Sequence, residues 1–533
     1  MHIRRAFPIL LFFLSVGGRA ESPLKNLAEY RLPLSSQKLV IAHCMTNIIR
    51  YRGHEFEDSC NPIYYSPKTS VTAQLGGMNQ VYPLFDAMLK NATLEEAVEM
   101  ELKAAQKSGI DGFQFYYTLG SRNWDKIIEA YFRVADRKQI DFKFTLCISH
   151  PSGSNEKNKI AELAERIHKI QLHVGKNNRH WLRTPDGRLI VYLWNGDSLA
   201  NIPMASHKLP EAYYVARAYR RLADAVHERF ACVSLINEAI TPQKLSDVLD
   251  YFPAVWIWTL PYHDAYIGKY VAEQCRRRHR NFTASAFNDF YTSKLLKPGT
   301  WDMFHKAADA AAAGIKHVER KYIPTGLSFN FRKLLEFGIR QDAQIINIIT
   351  WNDYPEGHHI APEINHNDGF SILLNYYKNL WKKKPSPYSG KNVAIVFFKK
   401  YPGVRIPSPY NIPVINFEKE SHPMPVEDSI EVVTLLPSAA TLEVNGQRIK
   451  AGPGLTSSIF QSAPGQVNVT VSGNHYARIH FITPEGITCC PYRTDRLTYS
   501  YSSETSAYYT ELFGARKIPY SSEYSSSPFT ITK

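Results

Sequence analysis

The chain has 533 residues, 44% of them hydrophobic and 13% aromatic, which is enough for a large globular core and more than one domain. Its formal net charge is +14, but basic and acidic residues are interspersed, and no long basic run with interleaved aromatics indicates nucleic-acid binding. A basic surface is compatible with association with an anionic cell wall. The seven cysteines are few and widely spaced apart from Cys489 and Cys490, so they predict neither a disulfide framework nor a zinc site.

Residues 1–20 have the pattern of a secretory signal peptide. Arg4 and Arg5 precede an apolar stretch at residues 6–16, and Gly18 and Ala20 form a small-x-small cleavage site. The apolar stretch is shorter than the ~20 residues that span a bilayer, and no later segment qualifies. We therefore expect a secreted or periplasmic protein without a membrane span.

Eight strand-like segments alternate with amphipathic segments over residues 21–385. This alternation predicts an α/β fold, a (β/α)8 TIM-type barrel, whose active site is built at the carboxyl ends of the strands. The predicted strands are residues 39–44, 110–117, 142–149, 189–194, 232–236, 254–260, 282–287 and 345–350. The predicted helices include residues 94–107, 160–174, 211–229, 264–278, 301–319 and 333–340.

A segment rich in Gly, Pro and Ser at residues 384–390 predicts a linker, and the pattern changes beyond it. Short alternating segments, with a turn at Asn445 and Gly446, predict an antiparallel β-sandwich domain over residues 390–485. We expect this domain to brace the barrel, with glycan binding as the alternative. Residues 486–533 are rich in Ser and Tyr without an apolar period, so we expect a poorly ordered or loosely docked tail.

The segment at residues 345–360, IINIITWNDYPEGHHI, carries the main candidate chemistry. Its apolar, β-branched start predicts a buried strand, and Pro355 and Gly357 predict an irregular loop after it. A turn can bring Asp353 and Glu356 to one cavity, and two carboxylates at the carboxyl end of a barrel strand suit hydrolysis of a glycosidic bond. In the alternative interpretation Asp353 is an ordinary turn residue and Glu356 is a solvated loop residue.

Polar and aromatic residues near the ends of the predicted strands are candidate substrate-binding residues, because amides bind sugar hydroxyls and aromatic rings stack on sugars. Each also has an ordinary role in packing or in a turn. The candidates are His43, Tyr116, Tyr117, Asn195, Asn237, Trp258, Asn288, Asp289, Trp351, Asn352 and His358. We expect no metal site at His358, His359 and His366, since adjacent loop histidines rarely converge on one ion, and we expect no cofactor, since no phosphate-binding Gly-rich loop is present.

The stretch TWNDYPEGHHIAP at residues 350–362 resembles the T-W-N-D-Y-G-E-S-H-Y-I-G-P signature of glycoside hydrolase family 71, the α-1,3-glucanases called mutanases. It is more distantly similar to the W-x-E-x-x-E-G loop of family 99 endo-α-mannosidases. The departures from family 71 include Pro355, Gly357 and His359. Residues 42–45 (AHCM) and 109–113 (GIDGF) are also similar to family 71 segments.

The family 71 resemblance implies a secreted endo-α-1,3-glucanase that inverts the anomeric centre. Glu356 is then the general acid and Asp353 the base that activates water, with an α-glucan as substrate and no metal or organic cofactor. The first alternative is a family 99-like endo-α-mannosidase, in which the upstream carboxylate assists attack by the sugar's own 2-hydroxyl with retention. The second is a non-catalytic glycan-binding barrel, against which the presence of both carboxylates argues.

Overall fold

The computed structural model describes residues 24–54, 84–120, 123–149, 151, 155–202, 209–237, 240–262, 265–291, 320–400, 414–416, 427–487 and 496–514. Its largest sheet has nine parallel strands in the order β7-β6-β5-β4-β3-β2-β1-β10-β8. The strands are β1 (Leu39–Cys44), β2 (Gly112–Tyr117), β3 (Lys143–Ser149), β4 (Leu189–Trp194), β5 (Phe230–Ile236), β6 (Ala254–Ile257), β7 (Asn281–Phe282), β8 (Ala284–Ala286) and β10 (Ile345–Ile348). A separate parallel pair joins β9 (Arg320–Tyr322) to β12 (Val414–Asn416).

The nine-stranded sheet closes on itself through β7 and β8. Only Thr283 separates these two strands, and its N–H donates to the carbonyl oxygen of Val255 at 3.0 Å. β7 pairs with β6, and β8 pairs with β10, so this one extended segment joins the two edges of the sheet. Eight extended segments therefore surround the barrel axis, and the predicted TIM-type barrel is confirmed.

Helices cover the outside of the barrel and bury the outer face of its strands. They are α1 (Leu84–Leu89), α2 (Leu94–Lys107), α3 (Asn123–Arg137), α4 (Glu156–Val174), α5 (Glu211–Ala225), α6 (Pro242–Tyr251), α7 (Ala265–Arg277), α8 (Phe329–Arg340) and α9 (Gly369–Trp381). α2 begins at a capping box in which Thr93 and Glu96 satisfy each other's backbone N–H groups. The predicted helix at 301–319 and the predicted signal peptide lie outside the described residues. Among the residues that are described, no helix is long and apolar enough to cross a membrane.

Two four-stranded antiparallel sheets form the predicted C-terminal β-sandwich. One contains β16 (Gly454–Phe460), β13 (Ile430–Leu436), β11 (Val393–Lys399) and β19 (Thr498–Ser502) in that order. The other contains β15 (Gln447–Ala451), β14 (Ala440–Val444), β17 (Gly465–Ser472) and β18 (Ile479–Ile487).

The strand β11 is buried on both faces and links the sandwich to the barrel. Because side chains alternate along a strand, Val396 packs in the core between the two sheets, whereas Ile395 and Phe397 pack in the barrel core. The Phe397 ring lies 5.1 Å from that of Phe370 on α9. The sandwich therefore braces the barrel through a shared apolar layer.

The expectation of a poorly ordered or loosely docked segment after residue 486 is wrong for residues 498–513. Five of these residues form β19, which pairs with β11, and Thr505–Phe513 form the helix α10. The Tyr508 hydroxyl lies 3.0 Å from Ser108 Oγ, next to α2. Tyrosine rings bury apolar area while their hydroxyl groups find polar partners, so a segment without an apolar period still docks. The domain limits at 21–385 and 390–485 stay predictions.

Candidate active site

The chain after β10 crosses the carboxyl end of the barrel as an irregular loop. The Trp351 N–H donates to the carbonyl oxygen of His43 at 2.7 Å, which ties the start of the loop to β1. A single 3-10 turn spans Tyr354–Glu356, and Gly357 follows it with a left-handed φ of 73°. A Cβ at Gly357 would lie 2.6 Å from Leu497 Cδ2, so the close approach of the C-terminal segment also requires glycine there.

The loop brings two carboxylates and one imidazole together. His358 Nε2 lies 3.2 Å from Glu356 Oε2 and 3.6 Å from Asp353 Oδ2, and one ligand atom from each residue lies within 4.8 Å of the others. The His358 side chain is fully buried, whereas those of Asp353 and Glu356 are 11% and 15% exposed. We call these three residues the carboxylate cluster.

The imidazole of His358 carries a positive charge at neutral pH. Burial opposes protonation, but the contacts with Asp353 and Glu356 outweigh it and raise the pKa of His358 to about 9. The carboxylate cluster therefore holds a fixed cation against both acidic side chains.

Aromatic rings form a wall next to the carboxylate cluster. The Trp258 ring centroid lies 5.8 Å from that of His358, 5.0 Å from that of His43 and 4.2 Å from that of Trp194. Tyr116 lies 6.0 Å from His43 in an edge-to-face arrangement. This wall brings the predicted candidates His43, Tyr116, Trp258 and His358 together and offers apolar ring surface for a sugar.

His43, which belongs to the aromatic wall, is a neutral imidazole. Burial lowers its pKa to about 3, against the opposing effect of a hydrogen bond with Gln114. Sequence reasoning missed Gln114, although side-chain alternation along β2 places it on the same side as Tyr116. Asn195 follows β4 with a φ of 45°, and Asn237 is exposed after β5, so both lie at the carboxyl ends of strands.

Tyr117 and Trp351 lie in the barrel wall, and the expectation that they contact substrate is not met. The fully buried Tyr117 donates its hydroxyl to Asp125 at 2.8 Å, because alternation along β2 turns it away from Tyr116. Trp351 is also fully buried and donates its indole N–H to Glu101 Oε2 at 2.5 Å. Nothing in the sequence pattern of α2 indicated that Glu101 would receive this bond.

Asn288 and Asp289 are likewise fully buried and do not join the carboxylate cluster. The Asn288 amide donates to the carbonyl oxygen of His359 at 2.8 Å, and Asp289 lies 3.4 Å from His366 Nε2. Asn288 and Asp289 therefore belong to a second polar cluster, which also contains Glu363. Sequence reasoning missed Glu363. His358 and His359 point to different clusters, as expected of neighbouring histidines.

Asn352 fastens the loop to the segment after β1 and does not face the aromatic wall. Its side-chain oxygen accepts from the Met45 N–H at 2.8 Å, and its amide donates to the carbonyl oxygens of Met45 at 3.1 Å and Ile48 at 2.7 Å. Asn352 is 1% exposed, so water does not replace these bonds when they are lost. It is a positioning residue for Asp353.

We expect Asn352→Ala to lower both stability and activity. Each buried backbone group left unpaired costs about 1–3 kcal/mol, and misplacement of Asp353 lowers kcat by up to about 10²-fold with a smaller change in KM. Urea unfolding and steady-state kinetics measure the two effects. The control is Asn379→Ala, which removes one helical side-chain bond to Asn375. If Asn352→Ala were as inactive as Asp353→Asn but fully stable, Asn352 would instead act directly on the substrate.

The approach of the two carboxylates bears on the stereochemical course. An inverting glycosidase keeps its two carboxyl groups ~6.5–9.5 Å apart, whereas a retaining enzyme keeps them ~5–5.5 Å apart. One carboxylate oxygen of Asp353 and one of Glu356 lie within 4.8 Å of each other. This close approach favours the shorter, retaining separation, and inversion stays a prediction.

Comparison with known proteins assigns no family to the chain. No described protein family and no curated protein matches the sequence. Among solved structures, the chain is similar to a family 99 endo-alpha-mannosidase from Bacteroides thetaiotaomicron, with 11% identity, a TM-score of 0.44 and coverage of 66% of this chain and 98% of that chain. It is also similar to a glycosyl hydrolase family 2 member from Bacteroides cellulosilyticus, with 11% identity, a TM-score of 0.40 and coverage of 84% and 48%. At these scores the likeness decides neither family nor substrate.

Proposed function

We propose that this chain is a glycoside hydrolase that cleaves an α-linked glycan with its carboxylate cluster. The observation that carries the proposal is the convergence of Asp353, Glu356 and His358 at the carboxyl end of β10, next to the aromatic wall. Catalytic groups of barrel enzymes occupy this end, and a pair of carboxyl groups beside sugar-stacking rings suits glycosidic hydrolysis.

In the proposed reaction, Glu356 is the general acid. It protonates the leaving glycosidic oxygen as the bond from that oxygen to the anomeric carbon breaks. His358 lies 3.2 Å from Glu356 and 3.6 Å from Asp353 and holds both acidic side chains in place. The aromatic wall excludes water from one side of the sugar and positions its ring.

The role of Asp353 follows from the short carboxylate separation. The close approach of the pair favours a role in which Asp353 acts on the sugar itself, either as the nucleophile or as the base that removes the proton of the 2-hydroxyl. The second route applies only to the mannan alternative, in which the 2-hydroxyl is trans to the leaving group: the 2-oxygen attacks the anomeric carbon, and water then opens the resulting 1,2-anhydro sugar with help from Glu356 as base. Either route gives overall retention.

The substrate that we propose first is α-1,3-glucan, because the loop sequence resembles family 71 most closely. The second candidate is an α-mannan, which the short carboxylate separation and the Glu356–Gly357 pair favour by resemblance to family 99. We also propose secretion through residues 1–20, which would bring the enzyme to such polysaccharides at or near a cell wall.

Product analysis tests the function, and we expect an oligosaccharide product whose first-formed anomer retains the substrate configuration. The protein is incubated with insoluble α-1,3-glucan and, separately, with an α-mannan, and ¹H NMR follows the first-formed anomer. Cleavage of the mannan alone would transfer the assignment to the second substrate, and an inverted first product would contradict the role given to Asp353. Tight binding of glycans with no cleavage of either would support a glycan-binding barrel instead.

A further inference from the structure

The second polar cluster contains His359, Glu363 and His366. In the sequence these residues have the spacing H-x3-E-x2-H. All three side chains are buried, with exposures of 0%, 0% and 2%. Glu363 Oε1 lies 3.4 Å from His359 Nε2 and 3.3 Å from His366 Nδ1. The three ligand atoms lie within 4.8 Å of one another.

The two separations from Glu363 match those of ligands around a small transition-metal ion. Ligand atoms at about 2.05 Å from a tetrahedral centre lie roughly 3.3 Å apart. Two imidazoles and one carboxylate are also a donor set that divalent transition metals prefer, whereas calcium and magnesium prefer oxygen ligands alone.

Three buried polar atoms at this cluster have no hydrogen-bond partner within the described part of the chain. They are the two ring nitrogens of His359 and the side-chain oxygen of Asn288. The amide nitrogen of Asn288 lies 3.3 Å from His366 Nδ1, so its unpaired oxygen belongs to the same cluster. A buried polar group without a partner is destabilising, and a metal ion would satisfy the one His359 nitrogen that it binds.

His366 has a carboxylate near each ring nitrogen. Its Nδ1 lies 3.3 Å from Glu363 Oε1 and 3.2 Å from the carbonyl oxygen of His359, while its Nε2 lies 3.4 Å from Asp289 Oδ2. A carboxylate on the far nitrogen fixes the tautomer and orients the ring toward a metal. Asp289 is in turn held by the Thr498 N–H, at 2.5 Å, and by Lys399, at 3.6 Å, both from the C-terminal domain.

We propose that His359, Glu363 and His366 form a structural binding site for one divalent transition-metal ion, zinc in first place. The site is closed to solvent, so its role is to fix the loop that carries Glu356 and His358 and to join that loop, through Asp289, to Lys399 and Thr498 of the C-terminal domain. It is separate from the proposed hydrolysis, in which no metal takes part.

Metal analysis of the full chain tests the site. The protein is produced in medium supplemented with zinc, exhaustively dialysed against a chelator that strips surface ions, and analysed by mass spectrometry for transition metals. We expect about one equivalent of a single metal in the wild type and less than about a tenth in His359→Gln and Glu363→Gln, because loss of one of three ligands removes most of the affinity. His180→Gln is the matched control, since His180 is buried at the opposite end of the barrel with Phe142 and Asp136 as its neighbours.

A cobalt-substituted wild type keeps the test decisive if a variant does not fold. Protein produced with cobalt in place of zinc should show the visible d–d bands of a four- or five-coordinate ion with nitrogen and oxygen ligands, without a thiolate charge-transfer band. A wild type with less than about a tenth of an equivalent of any transition metal would overturn the proposal. So would equal metal content in His359→Gln, Glu363→Gln and wild type.

Discussion

Glu356→Gln is expected to lower kcat on a natural α-glycan by about 10²–10⁴-fold, the contribution of a positioned general acid. The amide keeps the size of the side chain but cannot protonate the leaving oxygen. A substrate with an activated leaving group needs little protonation, so its cleavage by Glu356→Gln should approach the wild-type rate. Steady-state kinetics on the two substrates, with folding checked by circular dichroism, measure the difference.

Asp353→Asn completes this experiment, because its defect should not depend on the leaving group. Asparagine neither removes the 2-hydroxyl proton nor attacks the anomeric carbon, so both substrates should stay uncleaved. Glu485→Gln, in the β-sandwich, is the control for loss of an acidic side chain away from the barrel mouth. Rescue of Asp353→Asn by the activated substrate, with none of Glu356→Gln, would reverse the two roles.

Glu101→Gln is expected to stabilise the protein in alkaline solution. Burial outweighs the hydrogen bond from Trp351 and raises the pKa of Glu101 to about 8 in the folded state. Between the unfolded pKa of about 4.3 and this value, unfolding releases a proton, so the wild type loses stability as the pH rises. The difference between the two pKa values corresponds to a decrease of at most about 5 kcal/mol in the free energy of unfolding. This decrease is complete above about pH 8. The amide introduced by Glu101→Gln stays neutral and keeps an acceptor for Trp351, so the variant avoids this loss.

Urea unfolding at about pH 5 and about pH 8.5 measures this effect. All eight tryptophans precede residue 382, so their fluorescence reports on the barrel. The variant should match the wild type at the lower pH and exceed it at the higher pH. Glu99→Gln on the same helix is the control, and it should lower stability at the higher pH. Lys103 and Lys138 lower the pKa of Glu99, so the charge of Glu99 stabilises the folded state there. Equal pH dependence in wild type and Glu101→Gln would show that Glu101 is ionised in the folded protein.

The local pattern of the sequence determined the elements of the fold. The predicted strand at residues 39–44 and the predicted helix at 94–107 coincide with β1 and α2, since buried strands and amphipathic helices have distinct apolar periods. The predicted turn at Asn445 and Gly446 joins β14 to β15, and both residues adopt the positive φ that such a hairpin turn requires. The position of the carboxylates after β10 also followed from the sequence, because Pro355 and Gly357 end regular structure there.

Only the tertiary structure decided which neighbouring side chains face which cluster. Tyr116 and Tyr117 are neighbouring residues of the same type. Alternation along β2 turns Tyr116 to the aromatic wall and Tyr117 to Asp125. His358 and His359 separate in the same way, one to the carboxylate cluster and one to Glu363. The partners of Trp351, Asp289 and Asn352 lie at positions 101, 498 and 45, hundreds of residues away in the chain. The sequence by itself determined the barrel, the sandwich and the candidate carboxylates, because these depend on local periodicity and turn chemistry. Their separation and the buried second cluster depend on contacts between distant segments, which local pattern does not encode.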